Sequence, residues 1–194
     1  YEAEKAKIVM LEMADALALQ LVEQGLVTDQ VVLTVGYDLD NLSDPARRAA
    51  YRGEVVTDFY GRQLPKHAHG SESLPHYSSS ASELVVAFSA LFDRMANPAL
   101  TVRRLALSAS HVLPEREAEK RTESYAQLSL FTDCAAEEAK QAEETARRER
   151  ERKLQEATLA IKKKFGKNAL LKGHSLLEGA TGKDRNEQIG GHRA

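Results

Sequence analysis

The sequence predicts an α+β fold, with two helices packed on one face of a mainly antiparallel sheet, followed by a helical and partly disordered C-terminal tail. Three observations carry that expectation. Residues 2–24 and 80–97 repeat apolar side chains at three- and four-residue spacing, the period of a helix with one buried stripe. Residues 30–37 and 102–112 alternate apolar and polar positions, the period of a half-buried strand. Beyond Leu113 the apolar residues thin out and charge takes over, so the core is expected in residues 1–113 alone.

Taken in order, Glu2 to Gln24 places Ala6, Met10, Met13, Leu17 and Leu21 on one helical stripe, with Glu4, Lys5, Glu12, Asp15 and Glu23 on the other faces. Gly25 follows as a C-terminal cap. The chain opens inside this helical pattern without a Met, as an excised domain would. Gln30 to Tyr37 is a strand with Val31, Leu33 and Val35 on its buried side and Val32 and Thr34 on the other. Asp38 to Arg52, with Asn41, Asp44 and Pro45, reads as a loop. Glu54 to Phe59 alternates, Tyr60-Gly61-Arg62 turns, and Lys66 to Ser73 returns as a second extended segment.

Ser80-Ala81-Ser82-Glu83 has the spacing of a capping box and should open the second helix. Its stripe is Leu84, Phe88, Leu91 and Met95, joined by Val85 and Phe92, and Asn97-Pro98 stops it. In Val102 to Val112, Leu105, Leu107 and Ala109 point one way and Arg104, Ala106, Ser108 and Ser110 the other. The second face of the sheet is therefore small and polar. Such a face suits a nucleic-acid backbone, which asks for cations and hydroxyls rather than bulk.

Residues 114–146 read as a linker, 147–172 as a basic helix and 173–194 as a Gly-rich tail that is mobile or only partly ordered. Net charge is −2, which hides a contrast. Residues 1–113 hold 10 Lys/Arg against 14 Asp/Glu, whereas Arg147 to Lys172 holds ten basic residues and three acidic ones. A single cysteine, Cys134, excludes an internal disulfide and a cysteine-rich metal site. No segment reads as a signal peptide or membrane span, so the chain is expected to be cytoplasmic, without a membrane partner. No catalytic constellation is visible. Asp38 and Asp40 end a strand and enter a loop, and the terminal Gly-Gly opens no helix. No cofactor and no small-molecule substrate are expected for this chain. His67, His69 and His76 lie close in sequence, but no carboxylate or Cys completes a metal site, and they read as polar strand residues.

Gln127-Leu128-Ser129-Leu130-Phe131 stands out as three large apolar residues in a polar stretch with no period to bury them. Leu128, Leu130 and Phe131 offer a compact load for a pocket, and Gln127 offers an amide for its rim. Each apolar side chain contributes roughly 1.5–3 kcal/mol when fully buried. Ordering a loose peptide consumes much of that, leaving a weak, reversible tether. The spelling resembles the clamp-binding consensus of bacterial polymerases and repair proteins, Gln-Leu-x-Leu-Phe, at every specified position, which implies the sliding clamp as partner.

The resemblance widens along the chain. LVTDQVVLTVGYD, YGRQLPKHAHG, TVRRLALSASHV, KKKFGKNALLKG and GKDRNEQIGGHRA together resemble the C-terminal third of Y-family DNA polymerases, most closely the UmuC-like translesion polymerases of Gram-positive bacteria. In that family this region is the little finger, two helices on a four-stranded sheet, followed by a clamp-binding tail. The family's first strand, which precedes the first helix, is missing or cut short before Tyr1. The resemblance implies a non-catalytic part of an error-prone polymerase acting in DNA damage repair and the SOS response. The magnesium ions of such an enzyme would lie in a palm domain outside this chain. It also implies backbone contacts to primer-template DNA by Thr34, Arg103, Arg104 and Ser108, with Lys66 and His67 as further candidates. On residues alone, Arg103-Arg104 fits an edge-strand charge pair that discourages aggregation equally well. The rival reading is a stand-alone interaction module that binds another protein through the pentapeptide or the helix from Arg147 to Lys164.

Overall fold

The computed structural model describes residues 1–126, 134–189, 192 and 193, with side chains over 1–121 and 142–188. Helix α1 (Ala3–Gln24) ends where Gly25 enters the left-handed region at φ 65° and its N–H closes on the Leu21 and Val22 carbonyls. Strand β1 (Leu26–Tyr37) follows and becomes the centre of the sheet. It pairs antiparallel with β4 (Ala68–Ser78) on one side and β5 (Val102–Ser110) on the other, and β6 (Leu113–Pro114) pairs with its first residues. β1 starts four residues before the expected Gln30. Polar Thr28 interrupts the apolar pattern there, but its hydroxyl is buried and bonds the carbonyls of Gln30 and Ser110.

Helix α1 and helix α4 (Ala81–Met95) cover one face of this sheet, so the expected α+β architecture is present. Met10, Ala14 and Ala18 of α1, Leu84, Phe88 and Leu91 of α4, and Val31, Leu33 and Val35 of β1 meet in the core. Small residues on α1 let the two helices and the sheet approach closely, and Phe88 fills the centre. Gly70 belongs to the same closeness. A Cβ there would sit 3.3 Å from Leu91 Cδ1 and 3.4 Å from Met95 Sδ.

The connection from β1 to β4 departs from expectation. Asp38 to Arg52 contains two short helices, α2 (Asp40–Ser43) and α3 (Pro45–Ala50), rather than a plain loop. Asp44 caps α3 by accepting the N–H groups of Ala46 and Arg47, with Pro45 at the first helical position. The returning strand is also divided. β2 (Val55–Thr57) and β3 (Gln63–Pro65) form their own small hairpin around the turn at 58–62, while β4 leaves that hairpin and joins β1. Alternation persists across the break, but the pairing partner changes.

The remaining chain folds back onto the domain. α5 (Glu115–Ala126) precedes the 32-residue helix α6 (Cys134–Phe165), which packs against α1 and the start of α4. Ser80 caps α4 by accepting the Glu83 N–H at 3.3 Å. The reciprocal half of the expected capping box is absent: Ser78 Oγ takes the Ser80 N–H, and Glu83 turns to His76 and Arg148. Glu151 of α6 completes the cap from outside by accepting the Ser82 N–H and both the Ser80 and Ser82 hydroxyls at 2.8 Å.

Residues 166–188 are packed against α1, not loose as the glycines suggest. Glu12 of α1 accepts the N–H groups of Thr181 and Gly182 at 2.9 and 2.8 Å and pairs with Arg185 at 3.2 Å. Asp15 pairs with Lys172 and with His174 at 2.9 Å, and Lys5 bonds Glu178. The two α1 carboxylates that read as solvent-facing are therefore buried under the C-terminal segment. A short helix, α7 (Gly182–Asn186), lies over Glu12.

Candidate functional site

The face of the sheet turned away from the helices is built by pairing register. Opposite the buried Val31, Leu33 and Val35, β1 shows Gln30, Val32, Thr34 and Gly36. Their partners are Ser110, Ser108, Ala106 and Arg104 on β5, and Ser73, Ser71 and His69 on β4. The face is thus a bed of hydroxyls and small side chains with no carboxylate among these positions.

The cationic end of this face depends on a bulge. Gly36 pairs with Arg104 but Tyr37 pairs with Val102, so Arg103 is one extra residue on β5. Val102 and Leu105 both turn toward the core. Without the bulge, strict alternation from Leu105 would turn Arg103 inward. With it, Arg103 and Arg104 both stand exposed. Arg103 lies 4.0 Å from Asp38, a loose pair that leaves its side chain 62% exposed. A side chain at Gly36 would meet Arg104 Cβ at 3.3 Å, so glycine there leaves room for the arginine stem.

Asn41 holds the bulge in place. It is fully buried, donating its Nδ2 to the carbonyls of Asp38 and Thr101 at 2.9 Å and accepting the Thr101 N–H at 2.8 Å and hydroxyl at 3.0 Å. The Asp38 N–H also reaches the Thr101 carbonyl. Tyr37 adds a second brace: its buried hydroxyl accepts the Asn97 N–H at 2.9 Å, and burial pushes its pKa up. Sequence reasoning assigned Asn41 to a polar loop; only the contact across 60 residues reveals its role.

The other candidates divide. Thr34 lies at the middle of the face, its Oγ1 2.8 Å from His69 Nδ1, so His69 belongs to the site although it was read only as a polar strand residue. Ser108 is on the face and exposed. Lys66 and His67 lie between β3 and β4, not on a strand. Lys66 Nζ is 2.7 Å from Glu54, so its charge is matched locally. His67 is exposed and continues the outward parity of His69. The third histidine, His76, is instead 2.9 Å from Glu83 under α6. That bond, reinforced by Ser78 and Arg148, holds the Glu83 carboxyl down at about 2 despite partial burial. Among the described residues no group of three or more His, Cys, Asp or Glu could hold a metal ion, and no helix is long and apolar enough to cross a membrane. Gln127, Leu128, Leu130 and Phe131 lie outside the described residues.

The model of the impB/mucB/samB family C-terminal domain matches residues 1–130. The chain belongs to this family. An impB/mucB/samB C-terminal domain is the C-terminal region of a Y-family DNA polymerase, in keeping with the resemblance read from the sequence, and the matched residues contain both helices and the whole of the β4–β1–β5 sheet. No curated protein and no solved structure matches the chain. In this family member part of the basic helix faces its own domain. Arg152 pairs with Glu115 at 3.1 Å, Arg148 with Glu83 at 3.4 Å and Lys163 with Glu23 at 2.9 Å, so these cations hold α6 to its own domain.

Proposed function

We propose that the open face of β4, β1 and β5 lies along the sugar-phosphate backbone of primer-template DNA behind the active site of a translesion polymerase. The observation that supports this best is the bulge at Arg103, which puts two exposed arginines at one end of a face whose outward β1, β4 and β5 positions carry no carboxylate. Arg103 and Arg104 supply the charge, while Thr34, Ser108 and His69 supply short polar contacts; such groups position a duplex without reading its bases. With residues 1–113 at a net −4, attraction is local and the binding weak and salt-sensitive. Chemical-shift titration of the full chain with a primer-template duplex at low salt tests this. Shifts concentrated on Thr34, Arg104 and Ser108 support it, and their absence there rejects it.

The second half of the proposal concerns recruitment. Gln127, Leu128, Leu130 and Phe131 dock in a pocket of the bacterial sliding clamp, and the parent enzyme is a UmuC-like polymerase of the damage response. The match of the pentapeptide to the clamp-binding consensus supports this reading. Pull-down with the clamp checks it: Leu130→Ala plus Phe131→Ala should abolish capture, and capture equal to wild type removes the docking role.

A further inference from the structure

The β2–β3 hairpin carries a feature that the sheet face does not use. Phe59 and Tyr60 at its tip are 96% and 77% exposed, which makes them the most exposed aromatic rings among the described residues. The turn that carries them is braced by hydrogen bonds. Asp58 accepts the N–H groups of Tyr60 and Arg62 at 2.9 Å with one oxygen and the Arg62 guanidinium at 2.7–2.8 Å with the other. The Asp58 N–H and carbonyl bond Arg62 and Gly61, and Gly61 takes φ 77°. The two rings meet edge to face at 5.5 Å, and the Arg62 guanidinium stands 5.0 Å over Tyr60.

A hydrogen-bonded turn that displays two rings and a planar cation offers a flat apolar surface to a planar partner. Its setting indicates which kind. The hairpin leaves the sheet between the end of β1 and the start of β4, the end that also carries Arg103 and Arg104. From Arg47 to Lys66 the chain holds five basic residues and two acidic ones, in a domain that is otherwise acidic. Charge and π-surface together match an unpaired stretch of nucleic acid, in which phosphates meet cations and bases stack on rings.

We infer that the tip formed by Phe59, Tyr60 and Arg62 is a stacking platform for unpaired bases of single-stranded DNA next to the duplex. The inference rests on the DNA reading of the adjacent sheet. The protein has no Trp, so Tyr60→Trp in the full chain introduces a single indole reporter. Titration with a pyrimidine 12-mer should quench that indole, whereas a blunt duplex should leave it nearly unchanged. Phe59→Ala plus Tyr60→Ala should weaken binding of the 12-mer roughly fivefold or more, the lower end of what stacking one base contributes. The pair Phe59→Leu plus Tyr60→Leu should weaken it as much, because apolar bulk without a π-face does not stack. Absence of quenching by the 12-mer overturns the proposal. Full affinity in the Leu pair overturns it too. The sheet reading is judged separately, by loss of duplex binding on Arg103→Ala plus Arg104→Ala. Quenching with an unchanged duplex affinity in that variant leaves the platform standing and removes the sheet.

Discussion

Replacing both Arg103 and Arg104 by alanine should flatten the salt dependence of duplex binding by a calculable amount. Each arginine that neutralises one phosphate releases condensed counterions and contributes roughly 0.9 to the slope of log affinity against log salt. Arg104 stands opposite Gly36 with no carboxylate among the face positions around it, so it should contribute the full increment. Arg103 is only loosely paired with Asp38 at 4.0 Å, so most of its increment should remain. The double variant should therefore be less steep by up to about 1.8. Between roughly 50 and 200 mM salt the wild type should then lose about twelvefold more affinity than the variant. Fluorescence anisotropy of a labelled primer-template duplex, repeated across salt concentrations, measures both slopes. Lys66→Ala makes a control: its ammonium is already matched by Glu54 at 2.7 Å, so its slope should change much less. Both variants alter exposed side chains and should keep the wild-type melting curve. Parallel lines for wild type and double variant would refute the assignment of this face.

Three further outcomes follow from the packing. Phe88→Ala empties the centre of the core and should cost about 3–5 kcal/mol in urea unfolding, with the m-value unchanged. Glu83 ionises far more readily when folded, at about 2 against an ordinary 4.5, chiefly through its bond to His76. Its contribution is complete above pH ~4.5 and is lost as pH falls toward ~2, so Glu83→Gln should show a shallower acid limb than wild type in circular dichroism over that window. Glu12→Ala strips the acceptor from Thr181, Gly182 and Arg185, so hydrogen exchange at those two amides should accelerate and limited proteolysis should cut within 166–188 before the domain itself is attacked.

The two-helix-on-sheet layout was legible because Phe88, Leu91 and Leu33 obey short periods that local sequence displays. What alternation could not show is where it breaks. The bulge at Arg103 lies beside Asn41 and Thr101, which grip each other across 60 residues, and no window around Val102 contains that contact. Glu12 and Asp15 misled for a related reason. On a helix they look like water-facing carboxylates, and their partners Lys172, His174 and Arg185 arrive more than 150 residues later from a stretch whose glycines suggested disorder. Phe59 was read as a strand end and Tyr60 as a turn; β2 stops at Thr57, so both lie in the turn, and neither reading spoke to the exposed rings.

The back-folded segment also separates two boundaries that are easily taken as one. The family match ends at residue 130, yet α6 packs against α1, Met13 and Leu17 of α1 line one cavity with Leu159, Leu170 and Leu171, and the α4 cap is completed by Glu151. A fragment cut at the end of the match would retain every strand of the β4–β1–β5 sheet and still be an incomplete folding unit. It would expose apolar side chains of α1 to water and leave Glu12 and Asp15 without counter-charges. Poor solubility of such a fragment would report the place of the cut rather than a fault in the sheet or its ligand.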